Sequence, residues 1–211
     1  MEETKNNLKN VPKSVVKRLA LYCRILHRME MDGLTRISSG ILAQCLGITP
    51  AQVRKDLAYF GQFGVPGFGY NPRELREHLK KILGTDRIIN LAIIGVGNLG
   101  RALLSYVGFK NQGFKFLAAF DSDQRKIGCE INDLKILNIQ DLEKILQASQ
   151  VDIVVLTVPA RVAQEVTDRL VKCGITVILN FVPLRLDVPP HVKVHSVDLA
   201  MELERLSFYL R

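Results

Sequence analysis

The sequence predicts an α/β protein in two parts: a small basic helical domain at the amino terminus, followed by a doubly wound, mainly parallel α/β domain. Three observations predict this. Apolar residues recur at helical spacing through roughly the first eighty residues. From Arg87 onward, runs of Ile, Leu and Val alternate with helical segments. The net charge of +8 is also unevenly divided: residues 1–84 hold 14 Lys+Arg against 7 Asp+Glu, and residues 85–211 hold 15 against 14. Such asymmetry suggests a segment suited to a polyanion joined to one that is not, although a solvated basic surface gives the same count.

Taken in order, apolar Val15, Leu19, Tyr22, Ile25, Leu26 and Met29 predict a helix from Ser14 to Met31, ended by Asp32-Gly33. Ser38-Ser39 then precede Ile41, Leu42, Ala43 and Leu46, and Gly47 closes that segment. Thr49-Pro50 opens the next helix, with Thr as N-cap and Pro at the first position. It runs through AQVRKDLAYF, with Val53, Leu57 and Phe60 inward and Gln52, Arg54, Lys55 and Asp56 on the opposite face. Helix, Gly-containing turn and basic second helix form a helix-turn-helix pattern, in which Gln, Arg and Lys reach bases and phosphates.

Gly61–Tyr70, with four glycines and a proline in ten residues, predicts a tight hairpin, the wing of a winged helix-turn-helix. Phe68 or Val65 at its tip is placed to lie along a minor groove, which backbone approaches closely at glycines such as Gly67. A helix over Pro72–Leu83 and a linker at Gly84-Thr85-Asp86 complete domain 1–84.

The second domain, 85–197, has expected strands at Arg87–Val96, Lys115–Phe120, Asp152–Val158, Ile175–Asn180 and Val192–Val197. They lack polar alternation, as strands buried on both faces do. Helices are expected at Leu99–Val107, Ile139–Ala148 and Ala160–Cys173. Directly after the first strand stands Gly95-Val96-Gly97-Asn98-Leu99-Gly100, a full GxGxxG that opens a helix. Asp121 ends the second strand 21 residues beyond the last glycine. Strand, glycine turn, helix and a distant acid are the Rossmann dinucleotide fingerprint. The acid accepts from ribose hydroxyls and repels a 2′-phosphate, which favours NAD(H) over NADP(H). Arg125 and Lys126 follow closely enough to leave that preference open.

At 211 residues, 47% hydrophobic and 24% charged, the chain falls in the globular range and holds no apolar run long enough to span a bilayer. The start, MEETKNNLKN, has no apolar secretion core. Cys23, Cys45, Cys129 and Cys173 are scattered without CxxC or nearby histidines, which argues against disulfides or zinc and for a cytoplasmic setting. A hydride-transfer enzyme needs a proton donor, and the histidines are few: His191 and His195 flank the last strand, while His27 and His78 belong to the basic domain. With no substrate domain left over, the dinucleotide reads as a signal. An NAD-dependent oxidoreductase, or a regulator binding coenzyme A, remains the alternative. The last segment, Asp198–Arg211, carries Leu199, Leu203, Leu206 and Leu210 as a stripe that covers its own domain or packs on a second subunit.

QVRKDLAYFG with the wing FGVPGFGY, the IIGVGNLG fingerprint, LTVP at Leu156–Pro159 and ILNFVP at Ile178–Pro183 stand in order within Pro12–Leu210. Together they resemble the Rex family of redox-sensing transcriptional repressors. The resemblance implies a homodimer whose final helix, 198–211, is domain-swapped between subunits. It implies binding to a palindromic operator when NAD+ is abundant, and release when NADH accumulates. It also implies DNA contacts from Ser38, Ser39, Gln52, Arg54, Lys55, Gly67 and Phe68. The cofactor contacts fall on the fingerprint residues Gly95, Val96, Gly97, Asn98, Leu99 and Gly100, with Asp121, Thr157, Pro159 and Phe181. The family's switch falls on Arg24, Tyr106 and Asp198, the last pairing with Arg24 in one state and with Tyr106 in the other. This sequence departs from some relatives in having Val65-Pro66 where they carry a basic wing residue, and Leu199 where they carry an aromatic one. The charged NAD+ ring loses more on desolvation than the neutral NADH ring, so a pocket lined by Phe181 and Leu199 is expected to favour NADH.

Overall fold

The first domain is organised by one helix. α1, Lys13–Met31, buries Val15, Leu19, Tyr22, Leu26 and Met29 along a single stripe. The computed structural model describes residues 11–65 and 67–210, so residues 1–10 of the expected first domain, Pro66 of the wing and Arg211 of the last segment lie outside the described residues. The chain divides into two compact units, Met1–Arg87 and Ile88–Arg211.

α2, Ser39–Leu46, begins where the Ser38 hydroxyl accepts the Ile41 N–H at 3.2 Å. α3, Pro50–Ala58, begins where Thr49 Oγ1 accepts the Gln52 N–H at 3.1 Å, with Pro at the first position. α4, Pro72–Leu83, is capped by the Asn71 side chain, which accepts from Arg73 and Glu74 N–H. Leu19, Tyr22, Leu26, Leu42, Val53, Leu57, Leu75 and Leu79 from the four helices form one core.

Asp56 does not belong to the outer face of α3, where its sequence position placed it. It is fully buried, and it is held by a bidentate Arg18 guanidinium, by the Tyr22 hydroxyl at 2.8 Å and by the Gln52 amide at 2.7 Å. Burial opposes its charge, but these donors outweigh burial and keep its carboxyl below the ordinary carboxylate value. The wing also differs from a regular hairpin. Its only described pairings are single bridges, Val65 to Gly69 and Ile37 to Tyr70. A Cβ at Gly69 would run into the Ile37 carbonyl, so the wing backbone lies directly on the chain that leads into α2.

The second unit is a sheet of seven strands: β1 Ile89–Ile94, β2 Phe114–Asp121, β3 Glu130–Ile131, β4 Leu134–Asn138, β5 Ile153–Leu156, β6 Val177–Asn180 and β7 Lys193–Ser196. Their order is β3-β4-β2-β1-β5-β6-β7, parallel except for β3 against β4. Successive β1 residues pack on opposite faces, Ala92 and Ile94 in one apolar cluster and Ile93 in another, so the strand is buried on both sides. Strand order reverses between β1 and β5, which opens a crevice at their carboxyl ends.

β3 and β4 escaped the sequence reading because they are short and joined by a tight turn. The signal was Asn132-Asp133, both at positive φ, a two-residue hairpin turn. The helix expected at Leu99–Val107 breaks at Ser105-Tyr106 into α5, Asn98–Leu104, and α6, Val107–Asn111. The one expected at Ile139–Ala148 opens with a 3₁₀ turn before α7, Leu142–Ala148. α8 covers Ala160–Lys172. α9, Leu199–Ser207, buries nothing within its own chain: Leu199, Met201, Leu203 and Leu206 are all exposed.

Arg18→Ala leaves the Asp56 charge buried without its main partner. It is expected to destabilise the first unit by about 3 kcal/mol, the lower end for breaking a buried pair because Arg18 is partly exposed. Because the folded Asp56 value lies below the unfolded one of about 3.9, its contribution is complete above that pH and is lost as pH falls through the folded value. Urea titrations of both proteins between neutral and acid pH should show a larger acid loss in the parent than in the variant.

Candidate functional site

At the crevice between β1 and β5 a cleft of about 510 Å³ opens, within the range of small-molecule sites. Gly95 and Gly97 line it with Asp121, Asp123, Lys126, Thr157 and Pro159, over an apolar floor that includes Phe120 and Val162. The fingerprint loop is clamped from both neighbouring strands. On the β2 side, Asp121 Oδ2 accepts the Val96 N–H at 2.8 Å, and the Gly95 N–H donates to the Phe120 carbonyl at 2.8 Å. On the β5 side, the Thr157 hydroxyl donates to the Gly95 carbonyl at 2.6 Å.

The second and third glycines of the fingerprint do different work. A Cβ at Gly100 would strike the Gly95 carbonyl, so this glycine is demanded by the fold. A Cβ at Gly97 would meet no protein atom. That opening is where a pyrophosphate would come against the backbone, and it is the feature by which these residues fit a dinucleotide.

Asp121 is more deeply committed than a ribose acceptor need be. It is 8% exposed, and besides Val96 it takes the Asp123 N–H at 2.9 Å on Oδ1 and the Lys126 ammonium at 3.0 Å on Oδ2. Burial raises its carboxyl, and the Asp123 amide, Lys126 and the Val96 amide together bring it below the ordinary value. Asp123, absent from the sequence-derived candidates, also lines the cleft and pairs with Arg125 at 2.9 Å. The acid two residues beyond the strand end was the available signal. Arg125 and Lys126 are thus both occupied by carboxylates of this turn, which leaves a 2′-phosphate no unpaired cation there.

Val96 and Gly100 are buried behind the loop, while Asn98 and Leu99 stand exposed on the first turn of α5. Phe181 is half-buried against the cluster of Ile93, Val96 and Val155 and does not line the cleft. Leu199 is exposed on α9. Asn180, which sequence reasoning missed, is fully buried and shapes the turn before Phe181: its amide donates to the Val182 carbonyl and its carbonyl accepts the Val182 N–H. His191 and His195 are exposed outside the cleft. Among the described residues no cluster of His, Cys, Asp and Glu suits a metal, and no helix is long and apolar enough to cross a membrane.

In the first unit, Arg54 and Lys55 are exposed on α3, and Arg54 Nη1 donates to Ser39 Oγ at 3.0 Å, joining two of the expected contacts. Ser38 spends its hydroxyl as the cap of α2, and Gln52 spends its amide on Asp56. Gly67 and Phe68 are exposed in the wing. Of the expected switch residues, Arg24 is exposed on α1, Tyr106 packs edge-on against Phe109, and Asp198 caps α9 by accepting from Ala200 and Met201 N–H.

Two family descriptions match the chain: "Putative DNA-binding protein N-terminus" over residues 10–58 and "CoA binding domain" over residues 86–184. A curated relative, the redox-sensing transcriptional repressor Rex of Carboxydothermus hydrogenoformans, is 47% identical, covering 95% of this chain and 97% of that protein. A crystal structure of RSP in complex with β-NAD+ and operator DNA is similar with a TM-score of 0.91 and 40% identity, covering 95% of this chain and 92% of that one. RSP in complex with β-NADH gives a TM-score of 0.86 and 38% identity, covering 95% and 94%.

Gly100→Ala should destabilise the second unit by about 1–3 kcal/mol, the cost of overpacking. Gly97→Ala should melt with the parent. Thermal denaturation of the two variants side by side distinguishes these outcomes.

Proposed function

The chain belongs to the Rex family of redox-sensing transcriptional repressors, and from that premise we infer how its two sites work together: it binds operator DNA as a homodimer and leaves it when NADH rises relative to NAD+. The observation that carries this reading is the presence, in one chain, of a basic helix face at Arg54 and Lys55 and a clamped fingerprint cleft at Gly95–Gly100. The protein is a regulator and not an oxidoreductase, as its relatives are named transcriptional repressors. The match described as a CoA-binding domain raises coenzyme A as the ligand, but RSP is described with β-NAD+ and β-NADH, which favours NAD(H).

We assign the major-groove contacts to Arg54 and Lys55, with Gln52 positioned through Asp56. Ser38 and Ser39 stand beside the phosphates, and Gly67 and Phe68 lie at the minor groove. For the cofactor, Gly95 to Gly100 (with Val96, Asn98 and Leu99 between) meet the pyrophosphate through backbone. Asp121 and Asp123 face the ribose, Thr157 and Pro159 the wall of the cleft, and Phe181 with Leu199 the nicotinamide ring. NAD(H) supplies no reaction here; its redox state is the signal. An apolar surround favours the uncharged reduced ring.

A ligand moves a two-state equilibrium only by binding one state better, and a near-complete reversal needs about 5.5 kcal/mol of difference. Tyr106 and Asp198 are the proposed carriers of that difference, with Asp198 turning between Tyr106 and Arg24. The exposed apolar side of α9 supports exchange of this helix between subunits. Burial pushes the Cys23 thiol up to about 11, away from a reactive thiolate. The scattered free cysteines support a cytoplasmic setting.

A mobility-shift titration with a palindromic duplex tests the whole reading. NADH should release the protein and NAD+ should not; steady NADH turnover without DNA binding would instead identify an oxidoreductase. The logarithm of operator affinity should fall linearly with the logarithm of salt, with a slope of about 0.9 per phosphate contact. Arg54→Ala should lower operator affinity about tenfold or more with NADH affinity intact. Tyr106→Phe and Asp198→Ala should bind both ligands yet lose the NADH response, and a full response in both would remove the switch.

A further inference from the structure

Resting on the DNA-binding reading, we propose that Arg36, laid against the Phe68 ring, is the cation that carries the wing into an A·T-rich minor groove beside each half-site. The wing from Gly61 to Tyr70 contains no Lys or Arg, so its own sequence offers nothing to attract a polyanion. The structure supplies the charge from elsewhere: the Arg36 guanidinium carbon lies 5.3 Å from the centre of the Phe68 ring, within cation–π range. Both side chains are exposed, Phe68 at 63%, and among the described residues Arg36 has no carboxylate partner. An exposed apolar ring carrying an unpaired cation is an arrangement that a negative, partly dehydrated surface would complete.

The placement is rigid. The next residue, Ile37, donates its N–H to the Tyr70 carbonyl at 2.9 Å and accepts the Tyr70 N–H at 2.7 Å. Gly69 lies against the Ile37 carbonyl too closely to admit a Cβ. Arg36 and the wing therefore move as one piece. Ser38 and Ser39 follow directly, and Ser39 holds Arg54. The same stretch of chain thus joins the wing cation to the proposed major-groove arginine.

Narrow A·T-rich minor grooves concentrate negative potential and take up arginine. Arg suits the role better than Lys because its planar, weakly hydrated guanidinium stacks on an aromatic face. A G·C pair places an exocyclic amine in the minor groove, whereas an inosine·C pair does not, although the two look alike from the major groove.

The test uses the full-length protein and a duplex it has itself selected from a random library. The duplex is remade with A·T, I·C or G·C pairs immediately outside each half-site, and affinity is read by fluorescence anisotropy. The parent should bind the A·T and I·C forms alike and the G·C form about tenfold more weakly. Arg36→Ala should lose about tenfold on the A·T form and bind all three alike. Phe68→Ala should blunt the same discrimination, and Arg36→Lys should retain part of it. An Arg36→Ala protein that still prefers A·T and I·C over G·C overturns the proposal, as does an equal loss on all three, which marks a phosphate contact only. If the parent enriches no duplex at all, the DNA-binding reading itself fails. Binding by the parent with no dependence on Arg36 removes this proposal alone.

Discussion

Asp56 has no solvent exposure, yet its carboxylate accepts from Arg18, Tyr22 and Gln52, three side chains spread over two helices. A buried carboxylate is tolerable only when donors replace the water it has lost. That requirement fixes α3 against α1 in one rotation about its axis. With Asp56 inward, Arg54 and Lys55 must point out. Asp121 meets the same constraint in the second unit, where the Val96 and Asp123 amides and Lys126 surround it. Satisfying that carboxylate holds the glycine loop in place. Each functional surface is therefore set by a charge that cannot be left alone in the interior.

This preorganisation bears on how a ligand can act. The fingerprint loop is held by Asp121 on one side and Thr157 on the other before any ligand arrives. Binding energy is then not consumed in ordering it. More of it is available as a difference between conformations, and only that difference moves an equilibrium. The cations of the adjoining turn are also committed, Lys126 to Asp121 and Arg125 to Asp123. The cleft is therefore lined by carboxylates, and each of the two cations of that turn is paired with one of them.

Charge and apolar surface divide along the chain in a matching way. Nearly all of the excess positive charge sits in residues 1–84, the part that carries Arg54, Lys55 and Arg36. The exposed apolar side chains concentrate at the other end, on Leu199, Met201, Leu203 and Leu206 and on the 3₁₀ turn Phe208–Leu210. The last helix therefore leaves an apolar side open at one end of the chain, as the first domain leaves a basic face open at the other.

Periodicity and spacing were sufficient for the helices of the first unit, the strand–glycine–helix fingerprint and Asp121, because these patterns are local and their chemistry is written in adjacent residues. They were insufficient for β3 and β4, whose few residues carry little pattern and are joined by the Asn132-Asp133 turn. Asp56 read as one more surface charge on a basic helix, since nothing within α3 announces the Arg18 and Tyr22 that wait 38 and 34 residues earlier. The pairing of Arg36 with Phe68, 32 residues apart, was passed over for the same reason. The sequence by itself determined most of the helices and the central strands, where a glycine-rich turn opens a helix and where positive charge collects. Only the tertiary structure decided which charges are buried, which are paired and which remain free to meet a ligand, because pairing depends on distances between residues far apart along the chain.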